Sequence, residues 1–201
     1  MNSVTLTDLS KSFQDQTVFD RLSLTLAPGF TCLYGPSGCG KSTLLSILAG
    51  NEEADKGTIS GIVAPVTVLF QEPRLFPNVS AIKNVTAPLR DKDALTKARH
   101  LLHSLSLTEE DLDKKTEELS GGMQQRVALA RAILFAKENN GNLVLLDEPF
   151  RGLDAERRAK VASLLLDSLS DKIVLVVTHD AEDTALLRAT PIQFHTLTAE
   201  E

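Results

Sequence analysis

Lys41 and Ser42 close the run Gly35-Pro36-Ser37-Gly38-Cys39-Gly40-Lys41-Ser42, which places four variable residues between a glycine and Gly-Lys-Ser. That spacing fits the phosphate-binding loop known as Walker A. Glycines 35, 38 and 40 permit backbone angles and close approach that side chains would block. The loop can therefore wrap its N–H groups around phosphate oxygens, at the positive end of a helix that begins near Lys41 and runs on through Thr43. Lys41 offers a mobile cation to the β- and γ-phosphates, and the Ser42 hydroxyl can ligate Mg²⁺. The alternative, a chance glycine-rich turn, leaves the flanks unexplained. Phe30 to Tyr34 read as a short buried strand introduced by the turn dipeptide Pro28-Gly29, and Leu44, Leu45, Leu48 and Ala49 give the following helix an apolar face.

A second chemical cluster lies a hundred residues on. Leu143 to Leu146 form a continuous apolar run that suits a strand buried on both faces. It ends in Asp147-Glu148-Pro149, two acids at the carboxyl edge of a sheet, where ligands of α/β folds bind. Asp147 fits the Walker B role of holding Mg²⁺ through its water. Glu148 is then free to polarise the attacking water as general base.

The elements that must position these groups can be read coarsely. Val4 and Leu6, then Leu22, Leu24 and Leu26, alternate with polar residues as half-buried antiparallel strands do. Strands are expected near Gly57 to Ile62 and Val66 to Phe70. From about Asn78 to Ala136 the pattern is wholly helical, its last helix carrying Met123, Val127, Ala130 and Leu134 on one face. Strands and helices alternate again after Leu143, with Val161, Leu164, Leu165 and Leu169 on a helix and Ile173 to Val177 as another buried strand. Asp180 is the expected N-cap of the next helix.

Composition bounds the class. A chain of 201 residues with 42% hydrophobic residues can bury a core as one α/β domain. A net charge of −6 without a dense Lys/Arg run argues against nucleic acid as a main partner. No apolar stretch reaches bilayer-spanning length, and Met1 to Val4 do not read as a signal peptide. Cys32 and Cys39 fall in a strand and in the phosphate loop, too few for a disulfide framework. These features point to the cytoplasm.

Leu119-Ser120-Gly121-Gly122-Met123-Gln124-Gln125-Arg126 looks like the signature motif of ATP-binding-cassette (ABC) proteins. The chain resembles their ATPase domains along nearly its whole length. On that resemblance Phe13 stands where an aromatic residue stacks on adenine. Gln71 matches the Q-loop glutamine that touches Mg²⁺ and water and reports nucleotide state to a membrane partner. Gly152-Leu153-Asp154 match the D-loop that crosses a dimer interface, and His179 matches the switch histidine that contacts the γ-phosphate. Ser120, Gly121, Gly122, Met123 and Gln124 would meet the ATP held by a partner cassette. Taken alone, Phe13 is more often core packing than a base platform, and Gln71 carries no signal. His100, His103 and His195 read as structural or solvated.

The resemblance implies a P-loop ABC cassette with a mostly parallel core sheet, an antiparallel β subdomain and an inserted helical subdomain. Residues 1–201 would form one domain, with 1–77 and 137–201 as core and about 78–136 as the helical part. The spacing from Lys41 to Gln71 and the tail after His179 are short for the family, so a minimal cassette without a regulatory domain is expected. The implied activity is ATP hydrolysis with ATP and Mg²⁺ bound by a head-to-tail homodimer, powering a membrane transporter. Its partners would be transmembrane permease subunits, with a substrate-binding protein as a further partner, and the chain would sit on the inner face of the cell membrane. Separate cassettes of this kind resemble those of bacterial importers, and the signature and Asp147 to Phe150 are similar to the nitrate, sulfonate, taurine and bicarbonate group. The alternative is a soluble ABC ATPase acting on nucleic acid or ribosomes.

Three features depart from or extend the pattern. Met123 replaces a glutamine, so the helix capped by Ser120 lacks a polar residue at its third position. Arg151 and Gly152 stand where the D-loop usually has serine and alanine. Leu75 and Phe76, between Pro73 and Pro77, are apolar residues expected on a surface loop, as a docking site for a membrane subunit; packing into the chain's own core is the other reading.

Overall fold

The computed structural model describes residues 3–14 and 16–194. His195, and Met1 and Asn2 of the N-terminal stretch, lie outside the described residues. The chain opens with β1 (Val4–Phe13), β2 (Gln16–Leu26) and β3 (Gly29–Tyr34), followed by α1 (Lys41–Leu48), β4 (Lys56–Ser60) and β5 (Thr67–Leu69). A helical stretch follows, comprising α2 (Ala81–Thr86), α3 (Ala94–Ser104), α4 (Glu109–Asp113), a 3-10 turn at Thr116–Glu118, and α5 (Gly121–Glu138). It closes with β6 (Leu143–Asp147), α6 (Ala155–Leu169), β7 (Ile173–Thr178), α7 (Glu182–Leu186) and β8 (Thr190–Gln193).

Five strands form a parallel sheet in the order β5-β6-β7-β3-β8, and three form a separate antiparallel sheet in the order β2-β1-β4. The apolar runs of β6 and β7 are buried at every position because successive side chains serve two different cores. Leu143, Leu145, Ile173, Leu175 and Val177 point toward α1 and the antiparallel sheet, where Phe19, Leu26 and Leu44 meet them. Val144, Leu146, Val174 and Val176 join the helical side, with Val127, Ile133 and Leu165. Both phosphate-loop flanks are thereby fixed: β3 sits between β7 and β8, and α1 is packed into the first core. Truncating one of these fully buried leucines to alanine costs about 2–5 kcal/mol.

The polar/apolar alternation of β1 and β2 is broken where the chain bulges. Asp8 and Arg21 adopt φ of 49° and 50°, and the β1–β2 register shifts between Leu6 and Leu9. Each bulge adds local twist and lets the hairpin wrap over the first core. The later strands are shorter than the apolar runs suggest, β4 ending at Ser60 and β5 at Leu69. On α5, Val127, Ala130 and Leu134 are buried while Met123 is half-buried against the same cluster. Asp180 caps from one residue further out than expected: Ala181 directly precedes α7, and Asp180 Oδ1 accepts from the Glu182 N–H at 2.9 Å.

Leu75 and Phe76 part company. Leu75 packs against the helical-side core, whereas Phe76 is 56% exposed. Buried Asn84 fixes this loop by accepting from the Phe76 N–H at 2.8 Å and donating to the Val79 carbonyl at 3.0 Å. No helix among the described residues is long and apolar enough to cross a membrane.

Candidate functional site

The loop between β3 and α1 is shaped by its glycines and by Lys41. Gly40 precedes α1 with φ of 101°, and a Cβ there would lie 2.5 Å from Val18 Cγ1. At Gly35 a Cβ would collide with the Phe194 carbonyl oxygen at 2.3 Å. Lys41 is largely buried, and its Nζ donates to the carbonyls of Gly35 and Pro36, both at 2.8 Å, with Cys39 Sγ at 3.6 Å. The ammonium is thus held over the loop, while Ser37, Gly38 and Ser42 are exposed. Burial pushes the Cys32 thiol up to about 11, so at neutral pH it is an inert part of the core.

A cavity of about 350 Å³ opens on this loop and brings Lys41, Ser42, Thr43, Gln71, Asp147 and Glu148 together. Asp147 is 9% exposed. Its burial pushes the carboxyl up to about 6, with the charge of Glu148 adding to the shift and Lys41 opposing it. A carboxylate so destabilised is suited to a cation. Ser42, Gln71 and Asp147 are the oxygen donors lining the cavity that could hold a divalent one. Among the described residues no group of three or more His, Cys, Asp or Glu side chains is arranged to hold a metal ion by itself.

Glu148 adopts a φ of 51°, a left-handed conformation that costs a non-glycine residue about 1–3 kcal/mol. Its N–H donates to the Val177 carbonyl at 2.9 Å, which turns the chain sharply after β6. The carboxylate meets Nδ1 of His179 at 2.8 and 2.9 Å through its two oxygens. That bond raises the imidazole above its ordinary value.

Phe13 does not line this cavity. It ends β1 as a residue 47% exposed, with Lys11 Nζ 4.9 Å from the ring centroid, while Gln16 and Val18 of β2 face the loop instead. Sequence reasoning missed those two; the signal was the hairpin itself, which pairs Phe13 with Gln16.

The signature residues lie elsewhere. Ser120 is the exposed N-cap of α5, its Oγ accepting from the Met123 N–H at 3.3 Å, and Gln124 Nε2 donates to the Leu119 carbonyl at 3.1 Å. Gly121 and Gly122 line a second cavity of about 400 Å³ with Gln71, Arg151 and Gly152. Neither glycine borders the phosphate-loop cavity, and a Cβ built on either meets nothing within 4 Å. Asp154 caps α6, accepting from the Arg157 N–H at 2.9 Å and pairing with its guanidinium at 2.7 Å. These bonds, the backbone one first, hold its carboxyl below the usual range.

Three arginines were given no individual role by the sequence, although Arg126 closes the signature run. Arg131 Nη2 on α5 donates to the Pro73 and Arg74 carbonyls, both at 3.0 Å, tying the Gln71 loop to the signature helix. Arg126 Nη1 holds the Leu105 carbonyl at 2.8 Å. Arg158 bridges Asp180 and Asp183. Among the histidines, His103 is engaged with the Leu107 carbonyl and Glu109, both at 3.0 Å, as a structural residue.

Residues 19–151 match the family model described as ABC transporter. The chain belongs to this family. It is 44% identical over 187 residues to an aliphatic sulfonates import ATP-binding protein, SsuB 2, of Pseudomonas syringae pv. syringae (strain B728a), covering 92% of this cassette and 66% of that protein. With the aliphatic sulfonates import ATP-binding protein SsuB of Bacillus subtilis (strain 168) it shares 38% identity over 218 residues, covering 97% of the cassette and 84% of the relative. Its structure superposes on the dimeric structure of MJ0796, described as a bacterial ABC transporter cassette, with a TM-score of 0.79 and 26% identity over 95% of this chain and 94% of that one. A post-hydrolysis state of MJ0796 bound to ADP and Pi aligns equally well, with a TM-score of 0.79.

Proposed function

We propose that this cassette is the ATP-hydrolysing subunit of a membrane importer and works as a head-to-tail pair. The observation that carries the reading is the open space around Gly121 and Gly122. The chain's own packing does not require glycine there, and the pair lies outside its own phosphate cavity. Bare backbone N–H groups at the start of an 18-residue helix suit a phosphate brought by another copy.

In this scheme the loop from Gly35 to Thr43 cradles the triphosphate, and Lys41 exchanges its carbonyl partners for phosphate oxygens. Ser42, Gln71 and Asp147 hold Mg²⁺, which when bound neutralises phosphate charge. Glu148 takes the proton of the attacking water, and His179 orients the carboxylate and reaches toward the γ-phosphate. Phe13 stacks on the adenine through its exposed ring. Ser120 to Gln124 and Asp154 of one copy complete the site of the other, so ATP joins the pair and hydrolysis releases it. Residues 78–136 form the arm that presents the signature, and the remainder forms the core.

The import role is supported by the relatives' descriptions, and an oxyanion such as a sulfonate is the cargo class they favour. The cassette sits at the inner face of the cell membrane, held by permease subunits that act with a substrate-binding protein. A groove of about 520 Å³ lined by Phe70, Phe76, Pro88, Arg131 and Phe135 is the docking surface for a permease segment. Affinity-tagged chain purified from detergent-solubilised membranes of its own cells should bring down an integral-membrane subunit. Recovery with ribosomes or nucleic acid, and no membrane protein, would overturn the importer reading.

A further inference from the structure

His179 has little to hold it in place. Its side chain is 71% exposed, and its side-chain hydrogen bonds among the described residues both go to Glu148. The position of the imidazole is therefore set by the backbone on either side. Thr178, fully buried at the end of β7, donates from Oγ1 to Asp183 Oδ2 at 2.5 Å and accepts from the Asp180 N–H at 3.1 Å. Asp180 in turn caps the Glu182 N–H. Both carboxylates converge on one guanidinium: Arg158 Nη2 donates to Asp180 Oδ2 at 2.6 Å and to Asp183 Oδ1. Asp183 is 2% exposed while Arg158 and Asp180 are only partly buried, so losing the cation leaves the Asp183 charge buried and without its ion pair.

Arg158 belongs to a different element from the segment it clamps. It lies one turn into α6, where its N–H donates to the carbonyl of Asp154 at 2.9 Å. A single guanidinium thus links the helix that Asp154 caps to Asp180 directly and to Thr178 through Asp183, the two neighbours of His179 being Thr178 and Asp180.

We propose that Arg158 is a positioning residue for hydrolysis, holding His179 against Glu148 and linking that contact to the partner-facing turn at Asp154. Both charge-assisted bonds leave the same nitrogen, Nη2, so one cationic group joins the two carboxylates, and a lysine ammonium could take over part of that role. Displacement of Asp154 by a partner cassette moves the start of α6 and, through Arg158, the backbone on both sides of His179. The inference rests on the proposed ATPase function.

The test is a double-mutant cycle on the full chain with MgATP, using single-turnover rates for the slow variants. Arg158→Gln should lower kcat about tenfold while KM stays within about twofold, and in a His179→Ala background it should cost less than about twofold more. Arg158→Lys should restore part of the loss. Should Arg158→Gln fail to fold, Asp180→Asn, on the half-exposed flank, takes its place with the same expectations. Losses that multiply independently of His179, or a kcat unchanged by Arg158→Gln, would overturn the link. A wild-type chain without ATP hydrolysis would instead bring down the functional reading and this inference with it. Wild-type hydrolysis lost in Glu148→Gln, together with an additive cycle, would bring down the inference alone.

Discussion

Glu148 and His179, separated by 31 residues in sequence, meet through Nδ1 at 2.8 and 2.9 Å from the two carboxylate oxygens. The motifs identify each residue but do not reveal this contact, which makes the candidate base and the candidate switch one unit. The bond raises the imidazole above its ordinary value, so the charged pair is complete below about pH 6.5 and is lost as pH rises through the folded value. A histidine titration followed by NMR should place His179 above its ordinary value of 6.5, and Glu148→Gln should return it toward that value. An unchanged titration in the variant would show that the pair does not form in solution.

Removing the base should separate binding from turnover. Glu148→Gln keeps the cavity and loses the proton acceptor, so ATP binding is retained while hydrolysis falls about 10²- to 10⁴-fold. Lys41→Ala acts earlier. Loss of charge-assisted bonds worth about 1.5–3 kcal/mol weakens nucleotide binding about ten- to a hundredfold. Calorimetric titration and phosphate release on the two variants check the contrast, and equal affinities in Lys41→Ala and wild type would contradict it.

Much of the fold was open to reading because the apolar runs Leu143 to Leu146 and Ile173 to Val177 leave no polar face, and a strand without one must be covered on both sides. The bulges were not, since Asp8 and Arg21 take positive φ without the glycine that would announce it. The site divides in the same way. A phosphate loop carries its own chemistry in adjacent residues, whereas Arg158, Arg131 and Asn84 act on partners far along the chain or in a neighbouring loop, and a polar residue in a helix does not name its partner. The resemblance implied that the signature meets ATP held by a partner copy, whereas the open space at Gly121 and Gly122 is a fact of packing that the motif does not state.

Asp147 sets a cost of the site on stability. Its carboxyl is raised to about 6 from 3.8. Its contribution is therefore fully favourable below about pH 4 and is lost as pH rises through 6. Asp147→Asn should stabilise the chain by about 1–3 kcal/mol at pH 7.5, with the gain vanishing near pH 4, while impairing hydrolysis. Urea unfolding at the two pH values reads this directly. Lower stability of the variant at pH 7.5 would show that the charge is already compensated.

Phe76, 56% exposed on a loop fixed by Asn84, should matter to a partner more than to the fold. Phe76→Ser is expected to shift stability by no more than about 0.5 kcal/mol and leave nucleotide affinity unchanged, while weakening recovery with membrane subunits. Normal assembly would remove this surface from the docking account.

The pairing itself is tested most directly by mixing two disabled chains. Ser120→Arg blocks the signature and Lys41→Ala disables the phosphate loop, so each variant alone lacks a complete composite site. A mixed pair has one intact site, built from Lys41 of the first variant and Ser120 of the second. With ATP, the mixture should form more dimer by light scattering than either variant alone, with a maximum near equal proportions. No gain at any mixing ratio would contradict the head-to-tail pair.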